Sequence, residues 1–173
     1  MKTKTIQIEV AIINEFDVRR HLIVPNVTPL SHLVGFEADM LVLTSSGYAT
    51  AFEIKVSKSD LKNDLKKSHI KNLNTLWRSY RGKKCLEFYY RKLKYFNYAV
   101  PKELEQEALN QIPNFCGLYV FENNEYPKLN RLYQVRGAKK LFNYKWEEKN
   151  QFELPRLGTM RISNLKRAIL SNI

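Results

Sequence analysis

The chain has 173 residues, of which 44% are hydrophobic, and this is enough apolar material for one domain with its own core. Lysine and arginine total 29 against 17 acidic residues, so the formal net charge is +12, and such a balance indicates a polyanionic partner, nucleic acid ahead of a membrane surface. Two cysteines without a CxxC spacing exclude a disulfide framework, and no segment resembles a signal peptide or membrane span. We therefore expect a single cytoplasmic domain over residues 1–173.

The first predicted elements are one helix and three strands. In "TIQIEVAIINEF", the spacing of Ile6, Val10, Ile12 and Ile13 favours an amphipathic helix, although their β-branched side chains leave a strand as the alternative. "HLIVPNV" predicts a strand that ends at the Pro-Asn pair. "FEADMLVLT" and "YATAFEIKV" predict two further strands, and the short "SSG" connection between them favours an antiparallel hairpin.

A helix is predicted next, in "SKSDLKNDLKKSHIKNL". Ser57 followed three residues later by Asp60 resembles a capping box, and Leu61 and Leu65 then recur on the core face. His69 continues this series, which places its imidazole on the inward face near the hairpin. A hydrogen-bonded core histidine is the favoured interpretation, and a proton shuttle or phosphate contact is the alternative.

The remaining predicted elements are a strand in "KYFNYAV" that ends at Pro101, a helix in "PKELEQEALNQI", a strand in "CGLYVFE" and a closing helix in "TMRISNLKRAILSNI". Helices interleaved with strands indicate an α/β (α+β) arrangement. The adjacent hairpin means that the central β-sheet, flanked by helices, has to be mixed rather than purely parallel.

Basic residues concentrate directly behind the hairpin, where residues 55–94 contain thirteen Lys or Arg against three acids. A basic insert at about residues 71–94 also carries aromatic residues, and this mixture suits a phosphate backbone with stacked bases, although the aromatics could equally be core. Lys58, Lys62 and Lys66 recur at i,i+4 spacing and form a candidate DNA-binding stripe, or else a merely solvated helix face. Asp64 on the same helix is interpreted as a surface acid.

The acidic residues of the predicted hairpin indicate chemistry. Because strand side chains alternate between faces, Glu37 and Asp39 share one face, and Glu53 and Lys55 share one face of the next strand. Converging carboxylates repel one another and usually require a cation, and their oxygens suit Mg²⁺ or Mn²⁺ rather than zinc. A divalent ion held there can polarise a phosphodiester and activate a water for attack. Lys55 can orient that water or neutralise the charge that develops on the phosphorane. The alternative is a cross-strand ion pair between Glu37 and Lys55, with Asp39 as a turn acid.

The segments "VPNV", "EADMLVLT" and "GYATAFEIKVSKSDLKND" resemble the PD-(D/E)XK nuclease superfamily, and within it small phage and bacterial proteins of the MmcB-like DNA-repair type. The resemblance covers roughly residues 6–122 and implies a restriction-endonuclease-like core. Matched to the superfamily pattern, Asp39 takes the place of the motif aspartate, Glu53 that of the second acid and Lys55 that of the lysine.

The resemblance also implies a ligand set for Mg²⁺ or Mn²⁺. In this superfamily the two motif acids, here Asp39 and Glu53, bind the ion, and the carbonyl of the intervening residue, here Ile54, often completes the shell. A glutamate on the first helix is frequently a further ligand, which makes Glu9 the candidate and Glu15 the reserve.

We therefore expect a metal-dependent nuclease that hydrolyses DNA phosphodiester bonds in DNA repair, recombination or phage DNA processing, with Asp39, Glu53 and Lys55 as catalytic residues. Two alternatives remain at this stage: a non-catalytic or partner-activated DNA-binding accessory protein of a repair or replication complex, and an RNA-directed enzyme. A homodimer, or a repair or replication partner protein, is compatible with either activity.

Overall fold

The computed structural model describes residues 2–28, 33–71, 73, 92–124 and 130–170. In chain order the elements are α1 (Lys2–Phe16), β1 (Leu22–Val27), β2 (Ala38–Leu43), β3 (Ala49–Ile54), α2 (Lys58–Asp64), β4 (Leu93–Pro101), a 3-10 turn (Lys102–Leu104), α3 (Glu105–Gln111), β5 (Gly117–Glu122), β6 (Arg131–Arg136) and α4 (Glu148–Leu170). A further helical segment begins at residue 68. Most of the predicted basic insert at about residues 71–94, including its aromatic residues, lies outside the described residues.

Six strands form one sheet, and their order in the sheet is their order along the chain. β1, β2 and β3 form an antiparallel meander, β4 and β5 run parallel to β3, and β6 is antiparallel to β5. The connection from β3 to β4 contains α2, because parallel neighbours need a long crossover. This mixed sheet flanked by helices confirms the predicted fold class.

Hydrophobic clusters cover both faces of the sheet. On one face, Ile8 and Ile12 of α1 pack with Phe52 of β3. On the other face, Leu61 of α2 belongs to the same cluster as Ala51 of β3. Neighbouring residues of β3 thus alternate between the two clusters, as the pleat of a strand requires.

The helix predicted at the start of the chain is confirmed, but the predicted buried face is wrong in part. Ile8 and Ile12 are fully buried, whereas Ile6 is 57% exposed and Val10 is 49% exposed. The apolar residues of α1 make two overlapping stripes at helical spacing. Packing against Phe52 selects the stripe that contains residues 8 and 12.

The Pro-Asn pair does not end β1. Pro25 pairs with Met40 and the pairing resumes at Val27, which lies opposite Ala38. The intervening Asn26 has φ of 52°, a left-handed conformation that asparagine tolerates better than most residues. β1 is at the edge of the sheet, and an edge strand tolerates proline although proline has no N–H to donate.

Two elements near the C-terminus differ from the prediction. β6 was not predicted, since its sequence "RLYQVR" has arginines at both ends and is only half-buried. The closing helix is confirmed but begins at Glu148 rather than Thr159, and it contains Pro155 on an exposed position. None of the described helices, α4 included, has both the length and the apolar character to cross a membrane.

Gly117 at the start of β5 allows a close approach between strands. A Cβ at this position would overlap Oδ1 of Asn97 and lie 2.9 Å from the backbone N of Ala138. We predict that Gly117→Ala lowers the free energy of unfolding by about 1–3 kcal/mol, because the added methyl overpacks this contact. Urea denaturation followed by circular dichroism measures the difference.

The matched control is Gly137→Ala, because a Cβ at Gly137 meets no atom within 4 Å. Its free energy of unfolding should stay within about 0.5 kcal/mol of wild type. Equal denaturation midpoints for the two variants would contradict the close packing of Gly117.

Candidate functional site

The hairpin brings the two motif carboxylates side by side. Met40 of β2 pairs with Phe52 of β3, so the next pair along the same register is Asp39 and Glu53. Directly opposed residues of antiparallel strands point to the same face, and here that face is the one covered by α2. The side chain of Glu53 is only 2% exposed, whereas that of Asp39 lies nearer the rim and is 33% exposed.

The ammonium of Lys55 lies between three carboxyl groups. Its Nζ is 2.6 Å from Oε2 of Glu53, 3.2 Å from Oδ2 of Asp39 and 3.3 Å from Oδ1 of Asp64. Burial would lower the pKa of Lys55, but the charges of Glu53, Asp39 and Asp64 outweigh burial and raise it above its ordinary value. Lys55 therefore remains a cation at neutral pH.

The backbone of β3 orients Asp39. The N–H of Ile54 donates a hydrogen bond to Oδ2 of Asp39 at 2.7 Å, and the same oxygen accepts from Lys55. The N–H of Lys55 donates to the carbonyl of Ala99 at 3.1 Å, which continues the pairing of β3 with β4 beyond Ile54. Asp39, Ile54 and Lys55 are thus held together at one end of the sheet.

The predicted start of α2 is confirmed, because Oγ of Ser57 accepts a hydrogen bond from the N–H of Asp60 at 3.1 Å. The prediction of one continuous helix is wrong. α2 ends at Asp64, turn residues follow, and helix resumes at residue 68. This short helix still turns Leu61 and Asp64 to the same buried side, since residues three apart are neighbours on a helix.

Asp64 is part of the site, so its interpretation as a surface acid is wrong. Its Oδ2 accepts a hydrogen bond from the hydroxyl of Tyr98 at 2.9 Å, and its Oδ1 lies 2.7 Å from Nζ of Lys67. Burial would raise the pKa of Asp64, but Lys55, Lys67 and Tyr98 outweigh it and lower the pKa. The spacing of Asp64 three residues after Leu61 was the signal that could have identified it.

His69 lies on the inward side, as predicted, with its ring stacked on Phe36 at a centroid distance of 4.8 Å and an angle of 13°. Its Nε2 is 3.9 Å from Oε1 of Glu53, and neither atom has a hydrogen-bond partner within the described ranges. His69 is therefore buried, as expected of a core histidine, but the expected hydrogen bond is not made by Nε2 to any described residue. Burial lowers the pKa of His69 to about 4, so the imidazole is neutral at pH 7.

Burial, together with neighbouring negative charge, perturbs Glu53. Burial raises the pKa of Glu53 to about 8, the charges of Asp39 and Asp64 add to this effect, and Lys55 only partly opposes it. Lys55 thus offsets only part of the burial and repulsion that act on the Glu53 carboxylate.

Glu9 of α1 is partly buried and senses the charge of Asp39. Burial raises the pKa of Glu9, and the nearby charge of Asp39 raises it further. Glu15, the reserve candidate, instead lies near Tyr119, whose pKa it raises together with burial. Of the two candidates, Glu9 is therefore the one whose carboxyl group senses the charge of a motif acid, Asp39.

Four predicted residues do not converge on Lys55. Glu37 is exposed and precedes the first residue of β2. Lys58, Lys62 and Lys66 are also exposed, but Nζ of Lys58 pairs with Oε2 of Glu107 at 3.1 Å, and Lys66 lies beyond the end of α2. The predicted three-lysine stripe along one helix is therefore wrong.

The donor set fits a divalent cation. Three carboxyl groups, those of Asp39, Glu53 and Asp64, contact Lys55, and Asp64 also contacts Lys67. The buried Oε1 of Glu53 has no hydrogen-bond partner in the described part of the chain. Carboxylate oxygens with excess negative charge are the ligands that Mg²⁺ and Mn²⁺ accept.

Comparisons with known proteins support the fold but assign no chemical activity to the chain. No protein-family model matches the chain, and no curated protein matches it. Among solved structures, a protein of unknown function from Silicibacter pomeroyi aligns with a TM-score of 0.53, at 18% identity, over 94% of this chain and 86% of its own. A likeness at that identity shows a shared fold alone.

We predict that Lys55→Met lowers the free energy of unfolding by about 3–5 kcal/mol at pH 7, because it leaves buried carboxyl groups without their shared ammonium. The loss should be smaller at pH 5, since protonated carboxyl groups no longer repel one another. Urea denaturation of wild type and Lys55→Met in EDTA at pH 7 and at pH 5 measures this loss of stability.

The control is Lys67→Met, which removes a 52% exposed ammonium and should lower the free energy of unfolding by only about 1 kcal/mol. Equal losses would contradict the central place of Lys55.

A second prediction concerns acid stability. The pKa of His69 falls from 6.5 to about 4 on folding. Between these pH values the unfolded chain therefore binds a proton that the folded protein does not bind. Wild type should therefore lose stability as the pH falls from 6.5 towards 4, by about 2–3 kcal/mol from this residue. In His69→Gln the loss over the same window should be smaller. Parallel pH profiles for wild type and His69→Gln would contradict the burial of a neutral imidazole.

Proposed function

We propose that the protein is a metal-dependent nuclease that hydrolyses DNA phosphodiester bonds. The observation that carries the proposal is the convergence of Asp39 and Glu53 on Lys55, whose Nζ lies 3.2 Å and 2.6 Å from their oxygens. These are the residues on which the resemblance to the PD-(D/E)XK superfamily rests. They also lie on neighbouring strands of a mixed sheet with a helix directly behind them.

In the proposed reaction, Asp39 and Glu53 hold Mg²⁺ or Mn²⁺, with Glu9 and the carbonyl of Ile54 as further ligands. The bound ion would polarise the phosphodiester and lower the pKa of a coordinated water. Asp39 is suited to its part because the N–H of Ile54 fixes its carboxylate and because it is exposed enough to reach solvent.

Lys55 acts as a fixed cation in this proposal. Its raised pKa makes it a poor general base, since an ammonium that stays protonated cannot accept a proton from water. A positive charge held beside the motif acids is instead suited to stabilising the negative charge that develops on the phosphorane. Asp64 supports this role through its own contact with Lys55, at 3.3 Å.

The choice of DNA as substrate rests on charge. The chain has a net charge of +12, and much of the excess follows Lys55 directly in the sequence. Lys62 and Lys66, both exposed, lie on or just after α2, beside the site. Contacts with phosphates should make DNA binding weaken steeply as salt increases.

The experiment is a cleavage assay with supercoiled plasmid, linear duplex and single-stranded DNA in Mg²⁺ or Mn²⁺ at low salt. We expect wild type to cut at least one substrate and EDTA to abolish cutting. Asp39→Asn and Lys55→Gln should each lower the rate by about a hundredfold or more, because each removes a charge that the reaction uses. Glu37→Gln is the matched control: it neutralises an exposed acid two residues from Asp39 and should keep the wild-type rate.

Folding of each variant is checked by circular dichroism before its rate is measured. A folded wild-type protein that cuts none of the substrates, or full activity in Lys55→Gln, would contradict the proposal. Salt-dependent DNA binding that survives Asp39→Asn without any cleavage would instead support the DNA-binding accessory protein. A single-stranded RNA substrate is assayed in parallel, and cleavage of RNA alone would support the RNA-directed enzyme.

A further inference from the structure

The carboxylate of Glu53 has two oxygens in different surroundings. Oε2 contacts Nζ of Lys55 at 2.6 Å, whereas Oε1 faces Nε2 of His69 at 3.9 Å without a hydrogen bond. Both side chains are more than nine-tenths buried, with 2% of Glu53 and 9% of His69 exposed. Two buried polar atoms that face each other unbonded are costly unless something lies between them.

Asp64 completes a group of three potential ligands. One carboxylate oxygen each of Glu53 and Asp64 and one ring nitrogen of His69 all lie within 4.8 Å of one another. Ligand atoms that share an ion at about 2.1 Å are about 3–4 Å apart, so small side-chain adjustments would bring all three into contact with one ion. Asp39 is not part of this group, which lies deeper in the protein than the rim carboxylate.

The orientation of His69 is set by packing. Phe36 stacks on the ring at 4.8 Å, and Phe96 approaches it at 6.4 Å. The ring therefore points Nε2 at Glu53, and no hydrogen bond from the described residues holds that nitrogen in place. A preoriented imidazole of this kind loses little conformational freedom when it binds a ligand.

We propose that Glu53, Asp64 and His69 form an inner site for a divalent transition metal ion, separate from the position next to Asp39. Two carboxylate oxygens and one imidazole nitrogen favour Mn²⁺, and ions that bind imidazole still more strongly, over Mg²⁺, which prefers oxygen ligands and retains its water. The excess of carboxyl over ammonium groups supplies the charge that a dication would balance. This inner site shares Glu53 with the proposed nuclease site but goes beyond that activity, and its test does not require DNA cleavage.

Lys67 competes with the ion at this site. Its Nζ lies 2.7 Å from Oδ1 of Asp64, yet its side chain is 52% exposed and can turn to solvent when an ion binds. The more deeply buried Lys55 keeps its contact with the other oxygen of Glu53. Removal of the Lys67 ammonium should therefore tighten metal binding. This increase in affinity is not expected if the cluster has only a structural role.

The experiment uses Mn²⁺ as the probe on the full chain after removal of metals with EDTA. Mn²⁺ and Mg²⁺ are titrated separately by calorimetry, and bound Mn²⁺ is examined by electron spin echo spectroscopy for coupling to the imidazole ¹⁴N. We expect Mn²⁺ to bind more tightly than Mg²⁺ and to show this coupling. His69→Gln should abolish the coupling and weaken Mn²⁺ binding by about tenfold or more, with a smaller effect on Mg²⁺.

Two controls isolate the histidine. His21→Gln alters a histidine whose Nδ1 accepts from the backbone of Ser45, and it should leave the coupling unchanged. Lys67→Met should keep the coupling and raise the affinity for Mn²⁺, which provides a test if His69→Gln does not fold. Failure of wild type to bind Mn²⁺, bound Mn²⁺ without ¹⁴N coupling, or unchanged coupling in His69→Gln would overturn the inner site.

The inner site and the proposed nuclease can fail separately. Asp39→Asn should lose DNA cleavage but retain the ¹⁴N coupling, because Asp39 is not an inner ligand. A wild-type protein that shows the coupling and cuts no DNA would contradict the nuclease and leave the inner site standing.

Discussion

The contact between the buried ammonium of Lys55 and its three carboxylate neighbours is the interaction on which this end of the sheet depends. Asp39 comes from β2, Glu53 from β3 and Asp64 from the end of α2, so one cation joins both strands of the hairpin to the helix that follows. Without it, the carboxyl groups would repel one another in a region that excludes water. The residues best placed for chemistry are therefore also the ones that hold the end of the sheet to α2.

The net charge of the carboxyl groups around Lys55 depends on the neighbouring ammonium groups and on the protons that the carboxyl groups bind. Burial and neighbouring charge raise the pKa of Glu53 to about 8 and also raise the pKa of Glu9, so both carboxyl groups release their protons less readily than an ordinary glutamate. A divalent ion would replace those protons, so ion binding and proton release are linked. Binding of a cation would therefore change the charge and the protonation of the site together.

The sequence predicted the parts of the site that depend on local geometry. Strand alternation and a short connection are enough to bring Asp39 and Glu53 together, and Ser57 marks the start of α2 through its own hydrogen bond. Asp64 was missed because its burial depends on where α2 ends and on Tyr98, which is distant in the sequence. The buried face of α1 was partly missed because two apolar stripes overlap there, and only the partner surface on β3 decides between them.

The irregular pairing of β1 has a consequence for assembly. An exposed strand edge normally offers a row of N–H and C=O groups on which another chain can form a further strand. Here Pro25 has no N–H to offer, Asn26 breaks the extended backbone, and α4 packs against the same strand. Addition of a further strand on this side of the sheet is therefore disfavoured at the Pro25–Asn26 step.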